Sequence, residues 1–139
     1  MLKAINISHI WVLDQDQALD FYVGKLGLEV SADMQFGPMR WLTVRVPGDP
    51  TRDILLELPA PPSVDEASAA SIRELVSKGA TGFTVGLVTD DCRNTYEDLL
   101  AKGVDITQEP VEQPYGTDIG IRDPFGNHLR IVQLAHVPA

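Results

Sequence analysis

Few residues of this chain have the types and spacing that catalysis requires. It contains no Ser-His-Asp order, phosphate-binding loop or dinucleotide-binding glycine motif. The single cysteine, Cys92, stands near a predicted helix N-terminus, where a thiol pKa can fall, but it has no evident partner and is predicted to be passive. Other candidates are polar and aromatic residues two apart on predicted strands, such as His9 and Trp11, which share one face of a sheet. Such a mixture favours the binding of a planar organic molecule.

The strands that carry these residues belong to a pattern that occurs twice. Asp14 precedes an amphipathic helix that ends at Gly27, and Asp90 precedes another that ends at Gly103, with the same spacing. Each copy has an apolar strand, an aspartate cap, an amphipathic helix, a glycine stop and a second strand. Two facing half-domains enclose one cleft, so we expect equivalent positions of both copies to line it.

The full order of predicted elements is βαβββ, a linker helix, and βαβββ. Three consecutive strands without crossover helices disfavour an all-parallel fold, so the predicted class is α+β, with duplicated βαβββ modules forming a cupped mixed sheet. Ser63 and Glu66 form a capping-box pattern at the start of the linker helix, and residues 110–114 are predicted to form a loop. The predicted strands are Ile5–Leu13, Leu28–Met34, Arg40–Val46, Asp53–Leu58, Gly82–Val88, Val104–Gln108, Ile119–Arg122 and His128–Leu134.

The chain of 139 residues is predicted to form one domain. Its first module covers residues 1–59, the linker with its short helix covers 60–80, and the second module covers 81–135. The segment after Ala135 is expected to fray. Alternation places seven apolar residues on the helix-facing side of the strands: Ile10, Val12, Leu42, Val44, Leu56, Leu129 and Ile131.

Charge and composition exclude several classes of partner. The net charge of −9 argues against binding to a phosphate backbone, so no nucleic-acid partner is expected. No apolar run approaches the ~18 residues of a membrane span, and strand-like sequence begins too soon after Met1 for a secretory signal. A single cysteine excludes an internal disulfide and fits a cytoplasmic location.

Three motifs, combined with the duplicated order, resemble the vicinal oxygen chelate superfamily. They are Asp20-Phe21-Tyr22, Leu26-Gly27-Leu28 and the turn Asp123-Pro124-Phe125-Gly126-Asn127. This superfamily includes glyoxalase I, extradiol dioxygenases and bleomycin-type drug-binding proteins. The resemblance implies a cup-shaped sheet in each half and a homodimer, but it does not fix the function, because the fold supports several reactions as well as pure binding.

The resemblance also implies four metal-ligand positions, which correspond here to Ile7, Glu57, Phe83 and Arg130. Isoleucine and phenylalanine have no donor atom, and the guanidinium of arginine has no lone pair to offer a metal. Only Glu57 keeps a carboxylate, although a divalent cation needs three or four N/O donors. The standard metal site is therefore predicted to be lost, and no cofactor is expected.

Two other arrangements of these residues remain open. A shifted site of His9, Glu57 and His128 would suit Zn²⁺, Fe²⁺ or Ni²⁺, but a two-residue offset along a strand is about 6.6 Å. That alternative would make the protein a glyoxalase-like metalloenzyme: a lyase, isomerase or dioxygenase. Alternatively, Glu57 and Arg130 pair with each other in place of the metal, or each pairs with another neighbour, or Arg130 reaches solvent.

The leading prediction is metal-independent binding or sequestration of a small hydrophobic or aromatic molecule, as in bleomycin-type antibiotic resistance. Whether the two tryptophans line the ligand or fill the core or a dimer interface stays open, and Tyr115 is either a lid over the cleft or part of a plain surface turn. The predicted ligand-binding residues are His9, Trp11, Trp41, Arg45, Glu57, Phe83, Tyr115 and Arg130.

Overall fold

A computed structural model describes residues 1–135, so the tail after Ala135 lies outside the described residues. The chain divides into two compact units, Met1–Lys78 and a second unit that begins at Gly79. The first unit contains β1 (Ile7–Trp11), α1 (Gln15–Tyr22), β2 (Glu29–Phe36), β3 (Met39–Arg45), β4 (Asp53–Glu57) and α2 (Glu66–Ser77). The second contains β5 (Phe83–Val88), α3 (Cys92–Ala101), β6 (Asp105–Gln113), β7 (Gly116–Arg122) and β8 (His128–Leu134).

Each unit forms a four-stranded mixed sheet, and the two sheets have the same topology. In the first the order is β1-β4-β3-β2, and in the second it is β5-β8-β7-β6. The first strand of each unit pairs in parallel with the last, and the other pairs are antiparallel. The predicted α+β class and the duplicated βαβββ order are therefore confirmed.

An aspartate caps the start of each helix of the repeat and a glycine follows its end, although the cap of α3 is Asp91 and not Asp90, which the equal spacing indicated. Asp14 accepts a hydrogen bond from Gln17 N (2.8 Å) before α1, and Asp91 accepts one from Asn94 N (3.0 Å) before α3. These carboxylates satisfy backbone donors that the first helical turn leaves unpaired. Gly27 and Gly103, at φ +79° and +77°, take the left-handed conformation that leads the chain into the next strand.

The Asp-Pro-Phe-Gly-Asn motif forms the turn between β7 and β8. One carboxylate oxygen of Asp123 accepts from the backbone N–H groups of Phe125, Gly126 and Asn127, and the other accepts from the Asn127 side chain at 2.7 Å. Asp123 thus satisfies three backbone donors in a buried turn, which explains why an aspartate stands there.

Two sequence predictions were wrong. The N-cap of α2 is Asp65, which accepts from Ser68 N at 2.7 Å; Ser63 lies too far before the helix and donates its hydroxyl elsewhere. Residues 110–113 of the predicted loop belong to β6, which continues to Gln113, and only Pro114 lies in the turn that follows. Pro110 is accommodated there because β6 is an edge strand and its pairing shifts register between Gln108 and Val111.

The helix-side apolar residues predicted from strand alternation are buried, as expected. Within α1, Ala18, Phe21 and Tyr22 are buried as well. Among residues 1–135, no helix is both long and apolar enough to cross a membrane. The confirmed buried positions are Ile10, Val12, Leu42, Val44, Leu56, Leu129 and Ile131.

Candidate functional site

Glu57, the last residue of β4, is the best-buried charged group of the first unit. Only 8% of the surface of this residue is exposed, although it carries an ionisable carboxylate. The parallel pairing of β1 with β4 places Leu55 opposite His9 and Glu57 opposite Trp11. His9 Nε2 lies 2.9 Å from Glu57 Oε1, so the imidazole donates to the carboxylate. This bond offsets part of the cost of burying the charge.

The second oxygen of Glu57 binds the chain that follows β4. Ser63 donates its hydroxyl to Glu57 Oε2 at 2.9 Å. The carboxylate therefore joins β1 to the segment before α2, and its position is fixed from both sides. The sequence predicted Ser63 as a helix cap. Its hydrogen bond to Glu57 depends on how the chain turns after β4, which the sequence pattern does not indicate.

The other predicted ligand-binding residues of the first unit lie on the same sheet, on β1 and β3. The rings of His9 and Trp11 meet edge to face, with centroids 4.2 Å apart. Trp41, half-buried on β3, pairs with the exposed Met34 on β2. Arg45 donates to Glu29 at 3.0 Å, so its charge is already matched.

A pocket of about 290 Å³ lies against Glu57, entirely within the first unit. Its volume is at the lower end of the ~300–1,000 Å³ of small-molecule sites. Arg40 in its wall donates to Asp33 and Asp16, and the bond to Asp33 is the larger cause that raises the pKa of Arg40. The lining residues are Gln15, Gln35, Pro38, Met39, Arg40, Glu57, Leu58, Ala60, Pro61, Pro62 and Ser63.

Arg130, the repeat counterpart of Glu57, belongs to a polar network in the second unit. It donates from Nη2 to Asp118 at 2.7 Å and to Gln108 at 2.7 Å, and from Nε to Asp118 at 3.1 Å. Asp118 is 1% exposed and also accepts from Tyr115 and Gln108. Of the alternatives left open by the sequence, Glu57 and Arg130 thus each pair with neighbours in their own unit.

The network sets the acid–base properties of two of its members. Burial alone would raise the pKa of Asp118, but the hydrogen bonds from Tyr115, Arg130 and Gln108 lower it below its usual value. The hydrogen bond to Asp118 raises the pKa of Tyr115. Neither Asp118 nor Gln108 was identified as a site residue from the sequence. Asp118 approaches Arg130 only because β7 pairs with β8, and the distance between them along the chain does not indicate this contact.

Tyr115 lies in the turn that joins β6 to β7 and is half-exposed. Its hydroxyl donates to Asp118 at 2.7 Å, which anchors the ring to its own hairpin. Phe83 begins β5 and is 62% exposed. The sulfur of Cys92 is buried and 3.8 Å from the Ile131 carbonyl, and burial raises its pKa, which disfavours the reactive thiolate.

The donor set does not fit the metal that the fold family implies. Of the four corresponding positions, Ile7 and Phe83 carry no donor atom, and Arg130 is committed to Asp118 and Gln108. His128, of the predicted shifted site, donates from Nε2 to the Gly79 carbonyl at 3.0 Å. Within residues 1–135, no three His, Cys, Asp or Glu side chains are grouped so that they could hold a metal ion.

Comparison with known proteins gives consistent matches over nearly the whole chain. The family model described as Glyoxalase/Bleomycin resistance protein/Dioxygenase superfamily matches residues 4–131. The uncharacterized protein YurT of Bacillus subtilis (strain 168) is 34% identical over 130 residues, covering 93% of this chain and 98% of YurT.

Two solved structures are also similar. UcmS2 has a TM-score of 0.89 and 41% identity, with 95% of this chain and 98% of that chain covered. TnmS3, an antibiotic binding protein from Streptomyces sp. CB03234, has a TM-score of 0.77 and 25% identity, with 96% and 98% covered.

Proposed function

We propose that this chain, which belongs to the glyoxalase/bleomycin resistance protein/dioxygenase superfamily, binds and sequesters a small hydrophobic or aromatic molecule without a metal. The observation that carries the proposal is the pocket of about 290 Å³ against Glu57, with aromatic residues on the same sheet. A fixed carboxylate beside apolar walls provides orientation and contact area, the two requirements of a small-molecule site.

The chemistry of the residues supports binding over turnover. Three of the four family metal positions hold residues that cannot ligate a metal. The buried charges are committed: Glu57 to His9 and Ser63, and Asp118 to Arg130. Groups held in this way orient a ligand well.

The similarity to TnmS3, an antibiotic binding protein, supports the choice of ligand class. By analogy with TnmS3, the ligand that we propose is an aromatic antibiotic or a similar natural product. His9, Trp11, Trp41 and Arg45 would contact it in the first unit. The predictions for Phe83, Tyr115 and Arg130 concern the second unit and stay predictions from the sequence.

We also propose that the protein is a cytoplasmic homodimer. Large apolar side chains on the strands, including Met34, Phe36 and Phe83, are at least half-exposed, and exposed apolar surface of this kind marks association sites. Sedimentation velocity tests the dimer: a single monomeric species at micromolar concentration would contradict it. The free, buried Cys92 is suited to a reducing compartment.

Tryptophan fluorescence tests the binding function, because both tryptophans of the chain, Trp11 and Trp41, lie in the first sheet. We expect a member of a panel of aromatic antibiotics to quench them saturably and, at 100 times its Kd, to raise the unfolding free energy by about 2.7 kcal/mol. Trp41→Leu should weaken binding, whereas Leu75→Ala, on an exposed face of α2, should not. Absence of binding across the panel, or chemical conversion of the bound compound, would contradict the proposal.

A further inference from the structure

The pocket of the first unit contains a distinctive balance of hydrogen-bonding groups. Its buried carboxylate, Glu57, accepts from His9 and Ser63 but keeps further lone-pair sites, because an ionised carboxylate offers about four. The hydroxyl of Ser63 donates its only proton to Glu57. The hydroxyl therefore presents acceptor lone pairs to anything that enters.

Gln15 adds a second acceptor to this wall. It is 8% exposed, and its amide nitrogen donates to the carbonyls of Arg40 (3.0 Å) and Leu56 (2.9 Å). Those two bonds use both amide protons and fix which atom is nitrogen. The amide oxygen accepts no hydrogen bond from the described residues, so it is an available acceptor.

Arg40 is the only Lys or Arg among the described residues that line the pocket, and its charge is already neutralised. Arg40 donates to Asp33 from Nε and Nη2, at 2.9 Å each, and to Asp16 from Nη1 at 2.8 Å. One guanidinium thus faces two carboxylates, and Glu57 adds a further negative charge. The pocket wall and its immediate partners carry more negative than positive charge, within a chain of net charge −9.

We propose that this pocket receives a positively charged nitrogen, the ammonium group of an amine-bearing ligand, between the Glu57 carboxylate and the Gln15 amide oxygen. An ammonium has three donors and no acceptor, which complements a wall of acceptors. Pro38, Met39, Leu58 and Pro62 provide apolar contact for the carbon skeleton beside it. This inference rests on the proposed function only in treating the pocket as part of the ligand site.

Nuclear magnetic resonance with three probes of matched shape tests the inference. Benzylammonium, benzyl alcohol and benzoate are titrated into ¹⁵N-labelled protein at pH 7, and the amide shifts are followed. We expect benzylammonium to shift the resonances of residues 57–63 and the Gln15 side-chain amide, with a roughly millimolar Kd suited to a fragment. Benzyl alcohol should bind about tenfold more weakly, and benzoate should not bind, because a charge-assisted hydrogen bond is about twice as strong as a neutral one.

Variants locate the interaction. Glu57→Gln keeps the shape of the side chain and removes its charge, so it should weaken benzylammonium binding about tenfold. Glu97→Gln, at an exposed position of α3, should leave it unchanged. Benzoate binding as tightly as benzylammonium, shifts confined to residues outside the pocket, or no amine binding at about 50 mM would each overturn the inference. The comparison of probes uses the wild-type protein, so it stands even where Glu57→Gln fails to fold.

These outcomes are separable from those of the antibiotic screen. Amine binding in the pocket together with silence across the antibiotic panel would contradict the proposed function and leave this inference standing. An antibiotic that binds, while the three fragments show no preference for charge, would support the proposed function and contradict this inference.

Discussion

His9 Nε2 lies 2.9 Å from Oε1 of Glu57, although 48 residues separate them in sequence. The parallel pairing of β1 with β4 brings them together, and Ser63 holds the other carboxylate oxygen. A buried carboxylate fixed from two sides is the element from which the first-unit site is built.

This contact predicts energetic coupling between the two residues. In a double-mutant cycle with His9→Ala and Glu57→Ala, the free energies of unfolding should show a coupling of about 0.5–1.5 kcal/mol, since the hydrogen bond involves a partly buried charge. The control cycle pairs His9→Ala with Glu66→Ala, an exposed residue that bonds to Arg73 instead. Coupling as small in the first cycle as in the control would show that the contact contributes nothing.

The network of the second unit predicts a dependence of stability on acid. Because the folded-state pKa of Asp118 is lowered, its contribution is present above the unfolded value of about 3.9 and is lost as pH falls through the lower folded value. Asp118→Asn should lower the unfolding free energy at pH 7 by about 1–3 kcal/mol, discounted because Arg130 is partly exposed. The deficit should shrink near pH 3.

Urea unfolding at the two pH values measures this effect, with the exposed residue Asp90→Asn as the control. An Asp118→Asn deficit that stays constant between pH 7 and pH 3 would mean that the charge of Asp118 does not stabilise the fold.

Tyr115 predicts a linked effect at alkaline pH. Its pKa is raised chiefly by the hydrogen bond to Asp118, so its contribution to stability is present below the ordinary tyrosine pKa of about 10 and is lost as pH rises through the raised value. Asp118→Asn should lower the pKa of Tyr115 towards the ordinary value. Titration of ¹³Cζ-tyrosine resonances resolves the three tyrosines of the chain. If the pKa of Tyr115 were the same in the variant as in the wild type, the hydrogen bond to Asp118 would not be what raises it.

The caps of the repeat predict a contrast between two adjacent residues. Asp91 accepts from Asn94 N at the start of α3, whereas Asp90 lies one residue before the cap. Asp91→Ala should therefore lower the unfolding free energy by about 1 kcal/mol, and Asp90→Ala should change it by less than about 0.5 kcal/mol. Equal losses in chemical denaturation would show that charge, not capping, is responsible.

The architecture was predictable from the sequence because its signals are local. The caps Asp14 and Asp91 and the turn at Asp123 act on neighbouring backbone groups, and strand alternation identified buried positions such as Ile10 and Leu129. Local spacing was sufficient for these features, except that the equal spacing of the repeat indicated Asp90 where Asp91 is the cap. It failed at Pro110, where an edge strand with irregular pairing tolerates a residue that normally ends one.

The site was less predictable because its contacts are long-range. Glu57 and Arg130 were identified as candidates, but their partners were not: Ser63 was predicted to cap a helix, and Asp118 was predicted to lie on a loop. Those partners are set by the turn after β4 and by the pairing of β7 with β8. Spacing along the chain records neither of these features.

The most direct test of metal-independent binding is the affinity of one ligand with and without metal. The tightest-binding antibiotic from the fluorescence screen is titrated into protein dialysed against a chelator, and again after Zn²⁺, Fe²⁺ or Ni²⁺ is restored, with bound metal counted by mass spectrometry. We predict the same Kd in every case and no conversion of the ligand. Binding that disappears with the metal, or turnover that begins when it returns, would contradict the account.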